Sequence, residues 1–336
     1  MIIQDYDWSI MSSHAACNRK CFYAYIAGLA PLRKAQKGAM EFGSAIDDAL
    51  DQAYQFWTLN EAQRKLAFSE CFDTAEYKSG RFRAIPAMAA WYAFQDAWGT
   101  DKSKGFSLEL GKTIISEYFA RYPKEQFDIV DVQSAGSIPL LEVNGLQCYL
   151  RFKIDVQIFE RGQHSIMENK TTGAIDQKFW TGMERSYQTD GYALGAEVYM
   201  GQRIPSVRLN AIATKSRIGD YKPFDRRDLQ KNAARRREYE LWYTHRITEL
   251  VQQQEKSLLY IREIPRELTT IEEVMRWAIQ TKRPVWELWP QNPNACLQYF
   301  RICEYESLCS NHVHQAEVAQ NYRYSSWKPW MRHEEK

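Results

Sequence analysis

Between Tyr149 and Lys170 apolar and polar residues alternate. Phe152, Ile154, Val156 and Ile158 are separated by Lys153, Asp155 and Gln157, with Arg151 ahead of them. Period-two alternation predicts a half-buried strand over Tyr149–Phe159, a polar turn over Glu160–Gln163 and a second strand over His164–Lys170. Asp155 falls in the middle of the first strand and Glu168 near the end of the second. Lys170 comes two residues later, on the same face as Glu168. Two carboxylates and a lysine on one face of adjacent strands are unfavourable to bury unless something neutralises them. One reading is an ordinary ion pair on a solvated hairpin face. The other is a divalent cation; oxygen ligands with room for water suit Mg²⁺ or Mn²⁺.

Elsewhere helical spacing dominates. A helix is predicted over about Gln177–Met200, with Gln188 and Tyr192 on one face. The sheet is expected to begin with Phe127–Glu142 and to continue, after that helix, with a strand over Ser206–Thr214. Ser12 or Ser13 is placed to cap a helix starting near His14, whose apolar face holds Phe22, Tyr23, Tyr25 and Ile26. Residues 51–125 read as helices over Glu61–Lys78, Ala84–Trp98 and Phe106–Tyr122, with breaks at Ser79-Gly80, Pro86 and Gly99. Trp91, Tyr92, Phe94 and Trp98 are core candidates, with base stacking as the alternative. A long helix is predicted over Asp225–Gln254. On it Arg227, Lys231 and Arg235 recur at four-residue spacing, with Arg226, Arg236 and Arg237 adjacent and one acid, Asp228, among them. Such a stripe either tracks a phosphate backbone or forms a solvated face.

At 336 residues the chain can hold one large domain or two small ones. A net charge of +2 makes no global case for nucleic acid, so any such case is local. No apolar run reaches the length of a membrane span and no signal peptide is evident, so a soluble cytoplasmic protein is expected. The seven cysteines are Cys17, Cys21, Cys71, Cys148, Cys296, Cys303 and Cys309. In a reducing compartment clustered cysteines suggest a metal rather than disulfides. Cys296, Cys303 and Cys309 are one thiolate short of a tetrahedral site. Cys71 and Cys148 read as small buried hydrophobes. No G-x4-G-K-[ST] motif accompanies these features, so no helicase motor is expected in this chain.

Asp155, Glu168-Asn169-Lys170 and Gln188-x3-Tyr192, in this order, resemble the PD-(D/E)XK nuclease superfamily and specifically its RecB-like branch, which includes the nuclease domain of AddAB and CRISPR-adaptation nucleases. The resemblance implies an α/β fold with a restriction-endonuclease-like mixed central sheet flanked by helices. It implies one domain over 1–336, with a helical insertion at 51–125, the catalytic sheet and helix at 126–215, the basic helix at 225–255, and a segment at 290–310 closing onto Cys17. Asp155, Glu168 and the main-chain carbonyl of Asn169 would hold Mg²⁺ or Mn²⁺. Lys170 would orient or help deprotonate the attacking water, and Gln188 and Tyr192 would position the site or the strand. Glu142 stands where such proteins often carry an acid.

Gly43-x3-Asp47 stands where the family has Gly-x3-His, a further metal ligand. Asp47, with Asp48 beside it, departs from that pattern but remains a hard-cation ligand; a solvated helix face is the alternative. Cys17-Asn18-Arg19-Lys20 and Gly28-Leu29 resemble the branch's opening motif without its proline. By that resemblance Cys17 joins Cys296, Cys303 and Cys309 around a [4Fe–4S] cluster, with Zn²⁺ on the same residues, or Cys21 in place of Cys17, as alternatives. The implied activity is metal-dependent hydrolysis of single- or double-stranded DNA, of the exonuclease kind, in recombination, repair or processing, with a helicase or recombination protein as a possible partner. The alternative is an inactive DNA-binding or assembly subunit that keeps the fold. Tyr322, Tyr324, Trp327 and Trp330 in the tail either pack back or stack on nucleic acid.

Overall fold

A computed structural model describes residues 2–32, 38–72, 85–99, 105–214, 223–298, 301–310 and 315–325. The expectations for Ser79-Gly80, Trp327 and Trp330 lie outside them. The chain gathers into two compact units. The first comprises Met1–Lys34, Gly136–Phe152 and Ala233–Lys336, and the second Ala35–Ala135 and Lys153–Asn232.

In the first unit, β1 (Asp5–Tyr6) leads into α1 (Trp8–Ala16). This helix starts earlier than expected because Asp7 caps it, its Oδ1 accepting from the Ile10 N–H at 2.9 Å. Ser12 and Ser13 therefore lie within the helix. Strand β2 (Leu29–Pro31) follows and belongs to the same unit.

The second unit opens with α2 (Ala39–Thr58), which buries Phe42, Ala45, Ile46, Ala49, Leu50, Ala53 and Tyr54 at three- and four-residue spacing. A Cβ on Gly43 would come within 2.4 Å of Thr171 Oγ1, so only glycine lets this helix approach that residue as it does. α3 (Ile85–Trp98) and α4 (Leu108–Arg121) complete its helical layer. Pro86 sits in the first turn of α3, where its ring suits helical φ, instead of breaking the helix. Trp91, Phe94 and Trp98 are buried in the core, so base stacking does not fit them.

The sheet comprises β3 (Asp128–Val143), β4 (Leu146–Glu160), β5 (Gln163–Thr172), β6 (Ser206–Ala213) and β7 (Phe224–Gln230) together with β1. The order is β1-β4-β5-β6-β7, with β3 also paired to β4. The β3–β4 and β4–β5 turns place Asn144-Gly145 and Arg161-Gly162 at positive φ, as two-residue hairpin turns require. β5 is antiparallel to β4 and parallel to β6, so the sheet is mixed. The parallel crossover runs through α5 (Gln177–Arg185) and α6 (Gln188–Met200). The sequence reads these as one helix, but Ser186 takes an extended ψ of 130° and divides it.

The basic helix expected at 225–255 needs the largest correction. Phe224–Gln230 is strand β7, paired residue by residue with β6, and α7 begins only at Ala233 and runs to Ile261. Phe224 and Leu229 are buried, and the ladder to β6 satisfies the backbone, so local charge spacing does not decide the conformation. α7 belongs to the first unit, whose remaining strands are β8 (Leu297–Gln298), β9 (Arg301–Ile302) and β10 (Tyr322–Tyr324). β10 pairs antiparallel with β2, Tyr324 opposite Leu29. Among the described residues no helix is long and apolar enough to cross a membrane.

Candidate active site and cysteine cluster

The second unit brings Asp47, Asp155, Glu168, Lys170 and Tyr192 within electrostatic reach of one another. β4 supplies Asp155, β5 supplies Glu168 and Lys170 with Asn169 between them, α2 supplies Asp47 and α6 supplies Tyr192. The Asn169 N–H donates to Asp155 Oδ2 at 2.8 Å, so Asp155 is held by the strand that carries Glu168. Lys170 Nζ donates to Glu168 Oε1 at 2.5 Å. The Glu168 side chain is 4% exposed and that of Lys170 25%, so this pair is not on a solvated face. Gln188 Nε2 donates to Tyr192 Oη at 3.0 Å across one turn of α6.

Burial pushes the Glu168 carboxyl up to about 8, and the charge of Asp155 adds to the shift. Burial, then Asp155, raises the carboxyl of Asp47 as well. For Lys170, burial alone would lower the ammonium, but Glu168 reverses the sign and keeps it charged. Burial keeps the Tyr192 phenol neutral, helped by Glu168.

Sequence reasoning missed Asp51, one turn after Asp47 on α2. It is 8% exposed, and burial followed by the charge of Asp155 raises its carboxyl. The Gln133 amide reaches Asp51 from a point in β3 where the backbone takes a φ of +56°. A left-handed residue inside a strand is a strained position of the kind found beside sites. The i, i+4 spacing of Asp47 and Asp51 was the available signal. Asp48 is half-buried, and Glu142 is exposed on β3 in the first unit.

Among the described residues no three His, Cys, Asp or Glu side chains close around a metal ion as they stand. The donor chemistry nevertheless fits a hard cation. Asp47 Oδ1 and Asp51 Oδ1 are buried without a hydrogen-bond partner, an arrangement that an added positive charge relieves.

The three cations expected to face phosphate do not form one stripe. Lys231 forms a buried ion pair with Asp190 at 3.1 Å and donates to Thr189 Oγ1 at 2.8 Å. Arg235 lies on α7 in the first unit, 3.7 Å from Glu238. Arg227, on β7, lies over the Trp180 ring at 4.2 Å and pairs with Asp225 while 46% exposed.

In the first unit, Cys309 lies within electrostatic reach of Cys303, Cys17 and Cys296. Cys17 ends α1, and its Sγ accepts from the Asn292 N–H at 3.5 Å. Cys296 Sγ lies 3.8 Å from the carbonyl oxygen of the same asparagine. The Cys303 N–H donates to the Cys296 carbonyl at 2.8 Å. Burial pushes the Cys309 thiol up to about 12, against the opposing charge of Arg19. Burial also raises the Cys303 thiol, with Lys20 opposing. Cys21 is fully buried, and its thiol lies 3.7 Å from the Ile10 carbonyl. Cys71 and Cys148 are buried as well.

A family model of the PD-(D/E)XK nuclease superfamily matches residues 9–310. Among curated proteins none matches. Among solved structures, an alkaline exonuclease (LHK-Exo) from Laribacter hongkongensis is similar at 13% identity, over 67% of this chain and 96% of that one, with a TM-score of 0.27. The complex of LHK-Exo with dAMP is similar at 12% identity, over the same shares, with a TM-score of 0.26. At such TM-scores these likenesses add nothing to the family match.

Proposed function

The chain belongs to the PD-(D/E)XK nuclease superfamily, and on that premise we propose that it is a Mg²⁺- or Mn²⁺-dependent DNA nuclease of the RecB-like iron–sulfur branch. Its action would be of the exonuclease kind, in recombination, repair or DNA processing, beside a separate helicase or recombination protein. The observation that carries the reading is the pair of orphaned carboxylate oxygens on Asp47 and Asp51, next to Asp155 and the Glu168–Lys170 pair.

Asp47, Asp155, Glu168 and the Asn169 carbonyl would hold the cation, which supplies charge stabilisation at the phosphate being cleaved. Lys170, paired with Glu168, would orient or help deprotonate the attacking water. Tyr192, neutral and bonded to Gln188, offers a hydroxyl to the scissile phosphate. Arg227 is the exposed cation left to meet the DNA backbone, while Lys231 serves the fold and Arg235 is offset by Glu238. Cys17, Cys296, Cys303 and Cys309 would hold a structural [4Fe–4S] cluster, with Zn²⁺ on the same residues as the alternative.

Mg²⁺-dependent cleavage of single- and double-stranded DNA by Asp155→Ala and Lys170→Ala variants tests the reading. Both should lose cleavage while keeping the wild-type circular dichroism spectrum. Wild-type rates in either variant would remove the assignment. DNA binding with no cleavage by the unaltered protein would identify the inactive-subunit alternative, for which the departure from histidine at Asp47 is the support. Iron and sulfide analysis of the unaltered, Cys17→Ala and Cys21→Ala proteins tests the cluster and its fourth ligand.

A further inference from the structure

Asn169 lies between Glu168 and Lys170, so its side chain turns to the other face of β5. There Asn169 Oδ1 accepts from Asn210 Nδ2 at 2.8 Å, and Asn210 Oδ1 accepts from Arg226 Nε at 3.0 Å. These three residues are register partners on β5, β6 and β7. The Arg226 fork then donates to both Glu125 oxygens, at 2.6 and 2.8 Å, and to Tyr118 Oη at 2.6 Å. Asn210 Nδ2 also reaches Tyr118 Oη at 2.8 Å, and Tyr118 Oη lies 2.6 Å from Tyr54 Oη on α2. Asn210 is fully buried and Asn169 is 2% exposed.

This network has a direction. A guanidinium has only donors, so Asn210 must turn its oxygen to Arg226 and its NH₂ to Asn169. Asn169 must in turn present its oxygen. With that side chain fixed, the Asn169 main-chain N–H points at Asp155 Oδ2 at 2.8 Å. Hydrogen bonds from Glu125 to the Asn169 side chain and from the Asn169 main chain to Asp155, joined through the covalent frame of Asn169, therefore link the two carboxylates. Replacing a buried ion pair by apolar residues of similar volume is often neutral or stabilising, so packing alone does not account for this pair.

We infer that Arg226 and Asn210 are positioning residues, which act through Asn169 to fix the main chain between Glu168 and Lys170 and to hold Asp155 toward the cation. The inference rests on the nuclease reading above. Mn²⁺ binding to the full chain, followed by electron paramagnetic resonance, tests it together with melting temperature, kcat and KM for DNA.

The double variant Glu125→Leu with Arg226→Met removes both charges together and leaves no lone ion in the core. It should fold, lose about ten- to a hundredfold in Mn²⁺ affinity and in kcat, and keep its KM. Arg226→Lys keeps a charge beside Glu125 but has no Nε to hold Asn210, so it should move the same readouts in the same direction by less. A folded variant with wild-type Mn²⁺ affinity and kcat would overturn the inference and leave the nuclease reading standing. Failure of both variants to fold would make the network structural and overturn the inference too. Absence of Mn²⁺ binding by the unaltered chain would sink the nuclease reading, and the inference with it.

Discussion

On the proposed reading, the carboxylate centre and the cysteine cluster would take metals by opposite means. The carboxylates stand on α2, β4 and β5, elements whose backbone bonds and core contacts exist without any ion. The cysteines stand at the end of α1, in short turns beside two-residue strands, and on the five-residue helix Glu306–Ser310. The difference follows from charge. Buried carboxylates bring mutual repulsion, so a rigid scaffold must hold them together. Protonated thiols are small hydrophobes and can be buried with little scaffold, leaving the ion to organise them. A cation at the first centre should therefore add chemistry, and a metal at the second should add folding free energy.

The sharpest way to break this contrast is to remove one ligand from each. Asp155→Ala should lower Mg²⁺-dependent cleavage by on the order of a thousandfold or more while the melting temperature moves by only a few degrees. Cys309→Ala should instead lose iron and cost several kcal/mol of stability. Thermal melts with cleavage assays on both variants would show whether the division holds; a Cys309→Ala protein as stable as wild type would end it.

A smaller effect is expected within the second unit. Lys231→Met removes a cation paired with Asp190 at the start of α6, the helix of Gln188 and Tyr192. Removing one partner of a buried pair costs about 3–5 kcal/mol. Activity should fall with the loosened helix while iron content stays unchanged; a chemical denaturation curve and iron analysis measure both. Gly43→Ala should cost about 1–3 kcal/mol by overpacking against Thr171, read from the shift in urea midpoint.

The gentlest test is pH. In the metal-free protein the Glu168 carboxyl is raised from 4.5 to about 8. The folded state thus holds this proton more tightly than the unfolded chain does. That contribution to stability is complete below about 4.5 and is lost as pH rises through about 8. A cation on Glu168 must displace the same proton, so Mn²⁺ affinity should climb by up to about tenfold per pH unit in that window and level off above it. Titrations between these limits check the sign, and a flat profile would exclude Glu168 as a ligand.

Alternation in β4 and β5 is local and strong, and it put Glu168 and Lys170 on one face beside Asp155; the resemblance to the nuclease superfamily is what made them a candidate site. What failed was spacing without burial. Arg227, Lys231 and Arg235 matched helical periodicity, yet the first belongs to a strand and the second to a buried ion pair. Nothing local marks Arg226 as turned inward, because its partner Glu125 lies 101 residues away. The cap at Asp7 was misplaced because the serines that follow are equally good caps, and only the burial of Ile10 and Met11 decides between them.

The hydrogen bond from the Asn169 amide to Asp155 has a spectroscopic consequence. That proton points at a carboxylate and not at a strand carbonyl, so its chemical shift should depend on the charge Asp155 carries and on any ion that shares it. One backbone resonance in a nitrogen–proton correlation spectrum would then report the state of the centre directly, without substrate and without altering a residue.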